Sequence, residues 1–203
     1  MSLLQENNEQ MRVLSFDEQR RYLESASPVL RDVATIILET GMRPEEVYTL
    51  RKGNISVPGG FVTIPFGKTK AARRKLFLTD NVKAILAQRI ESSKSDYLFP
   101  CDTDSARPIP KVNNAHDAAL RKSGVAKFRL YDLRHTWATR AAMAGVDLVT
   151  LAAMLGHARI QMVLRYAHPT EEHQANAMKR IEQFSTIGQL EGSTGTTASS
   201  AVQ

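Results

Sequence analysis

The residues able to do chemistry lie in four separated stretches. "RLYDLRHTWATR", residues 129–140, brings Arg129, Arg134, Arg140, His135 and the chain's only tryptophan, Trp137, into one short segment. Such a stretch is either a solvated helix face with one satisfied core histidine or a grip on phosphate. Three other stretches bear on that choice. "TGMRPEEVYTL" sets Arg43 just past a helix-ending glycine, Lys68 lies in a turn between two strands, and "LGHARIQMVLRYAH" sets His157 nine residues before Tyr166. Each has a structural reading when taken alone. Arg43 can cap a helix C-terminus or pair with Glu46, and Lys68 can be a solvated turn residue. His157 can be a structural imidazole at a helix start, and Tyr166 a core ring with its hydroxyl at the surface.

These residues need a scaffold, and 203 residues suffice for one domain with a real core. Hydrophobic residues at 42% and charged residues at 24% are globular values. The 27 Lys and Arg against 21 Asp and Glu give a net charge of +6. That excess favours a polyanionic partner, nucleic acid ahead of acidic membrane. One cysteine, Cys101, excludes an intramolecular disulfide and a cysteine-based metal cluster. No apolar run approaches the roughly 18 residues of a membrane span. The opening "MSLLQENNEQ" lacks the basic start and apolar core of a signal peptide, so a cytoplasmic protein is expected.

Along the chain, residues 1–14 read as a polar arm. Ser15 with Glu18 forms a capping box that opens a first helix. A second helix has Ser27 as N-cap, Pro28 at its first position and Gly41 as terminator, with Leu30, Val33, Ile37 and Leu38 on its core face. A short helix follows in "PEEVYTL". From residue 54 the pattern changes to three short β-prone runs separated by Pro-Gly-Gly and "GKTKAAR", which predicts a three-stranded antiparallel sheet. Thr79 caps the next helix, and residues 94–110 form a loop with a small extended piece. Helices are expected over 111–123, 131–144, 147–155, 158–167 and 170–185. The last stretch, "EGSTGTTASSAVQ", has small polar residues and almost nothing to bury, so residues 187–203 are expected to be a disordered tail. The fold class is therefore mainly α with one small three-stranded antiparallel β-sheet, the folded domain covering residues 15–186.

The four stretches, in this order, resemble the tyrosine recombinase (phage integrase) family, whose catalytic domain carries the same signatures over roughly residues 12–185. "TGMRPEEVYTL" resembles the first arginine box, which implies Arg43 as a catalytic arginine and Glu46 as its supporting carboxylate. "GKTKAARRKLFLT" resembles the lysine hairpin, implying Lys68 as the catalytic lysine. "YDLRHTWATRAAMAG" is similar to the His-x-x-Arg box, with Arg134 as second catalytic arginine and Tyr131 where the family carries its leading histidine. "LGHARIQMVLRYAH" matches the final box, implying His157 and the nucleophile Tyr166. Two further departures are "QMVLRY", where threonines are more usual, and the absence of room before residue 15 for the family's N-terminal core-binding domain.

The resemblance implies a DNA breaking–rejoining fold that cleaves a phosphodiester through a covalent 3′-phosphotyrosyl link, with no metal and no cofactor. The residue types suit that chemistry. A phenol with pKa near 10 is a weak nucleophile and needs help. Two permanently charged arginines can hold the negative charge of the pentacoordinate phosphorus. Lys68 can protonate the leaving 5′-oxygen, His157 can donate a hydrogen bond to the phosphate or assist the tyrosine, and Tyr131 can donate a hydrogen bond to phosphate, with proton transfer left to Lys68 and His157. Lys70, Arg73, Arg129 and Arg140 are candidates for DNA-backbone contacts. His135, about 100° round a helix from Arg134, reads as a buried structural histidine, and Trp137 as packing. The implied partners are double-stranded DNA and further copies of the chain, in a tetrameric synapse with exchanged C-terminal helices. The apolar stripe Ala175, Met178, Ile181 and Phe184 is the surface to be exchanged, and Pro169 the hinge. Nucleoid association is expected, with no membrane. The rival functions are a DNA-binding regulator of the same fold without cleavage and a type IB topoisomerase-like strand relaxer. A zinc or magnesium nuclease is disfavoured because no carboxylates or His/Cys ligands cluster at metal spacing.

Overall fold

The computed structural model describes residues 11–65, 70–166 and 171–193. The chain divides into two compact units, one running to Ala167 and one from His168, each described by itself. In the first unit, Ser15 opens α1 (Phe16–Ser25): its hydroxyl accepts the Glu18 N–H at 3.1 Å while the Glu18 carboxylate accepts the Ser15 N–H at 2.9 Å. Helix α2 (Pro28–Thr40) has Pro28 at its first position and stops at Gly41, whose φ of 67° lies in the left-handed region. Leu30, Val33, Ile37 and Leu38 are all buried, as their helical spacing predicts. The short α3 (Pro44–Tyr48) follows directly.

Strands β1 (Ile55–Ser56), β2 (Phe61–Ile64) and β3 (Arg74–Phe77) form the expected antiparallel sheet in the order β1-β2-β3. Its register pairs Val62 with Leu76 and Ile64 with Arg74. Val62, Ile64 and Leu76 are buried on one face while Thr63, Lys75 and Phe77 are exposed, the alternation of a one-sided sheet. Lys68 lies outside the described residues between β2 and β3, as does the side chain of Lys70.

Thr79 caps α4 (Asp80–Ser92) by accepting the Val82 N–H at 3.2 Å. The loop after it is tied back to the segment before β1 by an isolated bridge of Tyr97 with Arg51 and closed on itself by another, Pro100 with Pro108. Helices α5 (Asn113–Ser123), α6 (Asp132–Met143), α7 (Leu148–Leu155) and α8 (Gln161–Leu164) complete the unit. α6 packs against α2 and α7, and α7 against β3, so one helix pair and one strand surround the Arg134 end of α6. A buried Tyr22–His116 hydrogen bond of 2.6 Å, with the other His116 nitrogen donating to the Phe128 carbonyl at 2.9 Å, closes the core between α1 and α5.

Two boundaries differ from expectation. The helix expected over 158–167 is a single turn, α8, preceded by bends at Ala158 and Arg159 and followed by turns at Arg165 and Tyr166. The second unit is α9 (Glu171–Ser193), which runs on into the stretch expected to be a tail. No proline interrupts that stretch, and its two glycines, Gly188 and Gly192, each cost only about 1 kcal/mol in a helix. Pro169 and residues 194–203 lie outside the described residues.

Candidate active site

Arg134 is the centre. It sits in the first turn of α6 and is wholly buried, an unusual place for a permanent charge. Its Nη1 donates to the Gly41 carbonyl at 2.7 Å, and its Nη2 donates to the Leu155 carbonyl at 2.6 Å and to His157 Nε2 at 3.1 Å. The guanidinium thereby joins the C-terminus of α2 to that of α7, both of which present carbonyl oxygens. Burial lowers its pKa to about 10, which leaves it charged at neutral pH.

His157 is set by the way α7 ends. Gly156 takes a φ of 66°, and the His157 N–H returns to the Ala152 carbonyl at 2.9 Å, closing the helix and turning the imidazole toward Arg134. A side chain at 156 would strain the left-handed backbone and be crowded, with a Cβ 3.0 Å from Arg74 Nη1 and 3.2 Å from the Ala71 carbonyl oxygen. Burial, then the charges of Arg134, Arg43, Arg165 and Arg74, push the His157 pKa down to about 4. The imidazole is thus neutral at pH 7. Because Nε2 accepts from Arg134, its proton sits on Nδ1.

Two donors are then left over. Arg134 Nε and His157 Nδ1 are both buried and have no hydrogen-bond partner among the described residues. Each such group costs about 1–3 kcal/mol, so two on adjoining side chains suit a site built for an acceptor from outside the protein.

Arg43 precedes Pro44 at the start of α3. Glu46, in the first turn, accepts the Arg43 N–H and its Nη1, each at 2.8 Å. The same carboxylate receives Arg74 of β3 in a two-pronged pair, Nη1 at 2.9 Å and Nη2 at 2.8 Å, while Arg74 Nε donates to the Met154 carbonyl at 2.6 Å. Arg74 therefore ties β3 to α3 and α7. Sequence reasoning assigned it nothing, since its partners lie far away along the chain. Burial pushes the Glu46 carboxyl up, but Arg74 and Arg43 outweigh it and hold the group below its ordinary value.

Tyr166 is 2% exposed, and its hydroxyl lies 2.7 Å from His135 Nδ1. Burial foremost, then Tyr131, pushes the hydroxyl pKa up to about 12, against the opposing charges of Arg134 and Arg165. His135 is buried as expected, yet it is more than structural packing because it contacts the one phenol of the final box. Tyr131 joins the group: its ring lies 5.9 Å from the Arg134 guanidinium carbon and 5.0 Å, edge to face, from the His135 ring. Trp137 packs as expected against Gly41, where a Cβ would fall 2.2 Å from the indole.

The structure thus brings together Arg43, Glu46, Tyr131, Arg134, His157 and Tyr166, and adds Arg74 and His135. Of the candidates for backbone contacts, the side chain of Lys70 lies outside the described residues. Arg73 is exposed. Arg129, with a largely exposed side chain, pairs with Asp132 at 3.2 Å. Arg140 is turned inward, donating to the Leu14 carbonyl at 2.9 Å and to Gln19. Among the described residues no cluster of three or more His, Cys, Asp or Glu could hold a metal ion, and no helix is long and apolar enough to cross a membrane.

Residues 6–173 match the sequence profile of the phage integrase family. The integrase of Salmonella phage P22 is 28% identical over 190 residues, covering 88% of this chain and 49% of that protein. The chain thus spans about half the length of such relatives. Among solved structures, the catalytic domain of bacteriophage HP1 integrase superposes with a TM-score of 0.65 at 25% identity, covering 83% of this chain and 94% of that domain. The Tn1549 transposon integrase in complex with circular intermediate DNA superposes at 0.73 with 20% identity, covering 88% and 69%. The fold is that of tyrosine recombinase catalytic domains. With that fold and a profile match over most of its length, the chain belongs to the phage integrase family.

Proposed function

We propose that this chain is the catalytic domain of a site-specific DNA recombinase that cuts and rejoins double-stranded DNA through a covalent 3′-phosphotyrosyl intermediate. The observation that carries the reading is the pair of buried donors, Arg134 Nε and His157 Nδ1, on side chains that already touch. A phosphodiester offers them acceptors and a negative charge in a setting of three arginines. Tyr166 attacks phosphorus, the bond to the 5′-oxygen breaks, and the bond energy is kept in the tyrosyl ester so that no outside energy source is needed. Arg43 and Arg134 stabilise the charge on the non-bridging oxygens. His157 and the Tyr131 hydroxyl add neutral hydrogen bonds. Lys68, by its sequence position, supplies the proton for the leaving 5′-oxygen. Glu46 holds Arg43 in place.

Lys70, Arg73 and Arg129 contact the DNA backbone in this reading, whereas Arg140 contributes by anchoring the segment before α1. The chain acts as a tetramer on two DNA sites within the nucleoid, with α9 exchanged between neighbours. The exposure of Met178, Ile181 and Phe184 on α9 favours such an exchange.

The test is covalent capture. The chain is incubated, with EDTA present, with a pool of nicked duplexes of randomised sequence, and DNA that stays attached in detergent is recovered and sequenced. Enrichment of one sequence in a detergent-stable adduct is expected. No adduct, or an adduct only when a divalent metal is supplied, would count against the reading.

A further inference from the structure

The proposed reaction requires the Tyr166 hydroxyl to lose a proton as its oxygen bonds to phosphorus. Position 131 is a poor receiver, because a phenol is not basic at neutral pH. His157 Nε2 already accepts from Arg134, and its Nδ1 carries a proton. Both arginines are donors only. One contact remains. Among the described residues, the hydrogen-bond partner of the Tyr166 hydroxyl is His135 Nδ1, at 2.7 Å.

We infer that His135 is the general base of strand cleavage, taking the Tyr166 proton on Nδ1. The inference rests on the proposed recombinase activity and assigns a catalytic role to a residue outside the four-box set.

The proton inventory closes. As the Tyr166 oxygen forms its bond to phosphorus, its proton passes to His135 Nδ1. The bond from phosphorus to the 5′-oxygen breaks, and that oxygen takes its proton from the acid assigned above to Lys68. Rejoining reverses both transfers, returning the His135 proton to Tyr166 and the lysine's proton to Lys68. No co-reactant is needed.

Geometry and electrostatics agree with this role. Tyr166 is 2% and His135 7% exposed, so bulk water has little access to the hydroxyl. A hydroxyl can donate to Nδ1 only if the imidazole is neutral with its own proton on Nε2. Burial chiefly lowers the His135 pKa, which keeps that form at neutral pH. The charges acting on the ring come from Asp132 and Arg134 on α6, Arg129 just before it, and Arg165 after α8. Asp132 favours the imidazolium formed during the reaction, and the arginines oppose it. The edge-on Tyr131 ring fixes one side of the imidazole. Arg134 is the preceding residue of α6, so the helix that positions the phosphate grip also positions the base.

The experiment uses the full chain and the duplex recovered by covalent capture, measuring single-turnover adduct formation from pH 5.5 to 9.5. His135→Asn keeps an oxygen near the position of Nδ1 but cannot carry the proton. His135→Ala removes both. With DNA affinity as the check on folding, both variants should cleave about 10²- to 10⁴-fold more slowly at pH 7. The wild-type rate should level off above the His135 pKa. The His135→Asn rate should keep rising, closing the gap by about tenfold per pH unit as hydroxide replaces the base. A 5′-bridging phosphorothiolate, whose sulfur leaves without protonation, should not restore either variant. Rates equal to or above wild type, a deficit independent of pH, or full rescue by the phosphorothiolate would each overturn the assignment. Failure of the wild-type chain to form any adduct would instead contradict the activity itself, and the inference with it.

Discussion

Arg134 is held by two carbonyls and an imidazole, and its buried Nε has no hydrogen-bond partner among the described residues. A lysine cannot satisfy both carbonyls and still present a donor from a planar fork. Arg134→Lys should therefore lower single-turnover cleavage by at least about 10²-fold, the scale of losing one oxyanion donor, while a filter-binding assay shows nearly unchanged DNA affinity. Glu46 gives a second residue-level test. Its folded pKa lies below the ordinary 4.5, so the stabilisation is complete above that pH and is lost as pH falls through the depressed folded value. Thermal melts of wild type and Glu46→Gln should accordingly differ by a constant amount above about pH 5 and converge on further acidification. A gap that widens toward low pH would contradict the ion-pair account. That Arg43, Arg134, His157 and Tyr166 belong to one group was legible in the sequence because each box is a local pattern. Arg74 was not, because its value depends on Glu46 and Met154, which the folded chain brings to it from distant segments. His135 was half legible: helical geometry turned it away from Arg134 correctly, but nothing in one helix says that Tyr166 waits on that side.

At the scale of elements, the site is made from helix ends. α2 ends on Gly41, α7 ends on Gly156, and both final turns supply carbonyls to one arginine. Gly41 carries two constraints, a φ of 67° and an indole 2.2 Å from where a Cβ would sit. Gly41→Ala should cost about 1–2 kcal/mol for the left-handed backbone and about 1–3 kcal/mol more for the displaced Trp137, read as a lowered denaturation midpoint. A midpoint within error of wild type would show that the α2–α6 contact is looser than described. The starts and stops of α1, α2 and α4 followed from caps, a proline and a glycine in the sequence, since these act through neighbours only a few residues away. The extent of α8 did not. Its apolar residues fit a longer helix, but Val163 and Tyr166 pack with α7, and the chain turns where that packing requires.

For the whole molecule, the net charge of +6 and a candidate site lined by arginines predict that the proposed DNA binding is strongly salt-dependent, the logarithm of affinity falling by roughly 0.9 per phosphate contact for each decade of salt. Assembly should depend instead on α9. Replacing Ile181 and Phe184, both well exposed, by aspartate should leave single-subunit binding intact and abolish the higher complexes in a mobility-shift assay. Unchanged higher complexes would rule out exchange through this stripe. The central claim is that Tyr166 becomes covalently joined to DNA, and peptide mapping tests it most directly. The detergent-stable adduct is digested with protease and nuclease, and the modified peptide is sequenced by mass spectrometry alongside a Tyr166→Phe preparation. The expected result is a nucleotide on Tyr166 and no adduct from Tyr166→Phe at unchanged DNA affinity; a nucleotide on Tyr131 or any other residue, or an adduct that survives Tyr166→Phe, would contradict it.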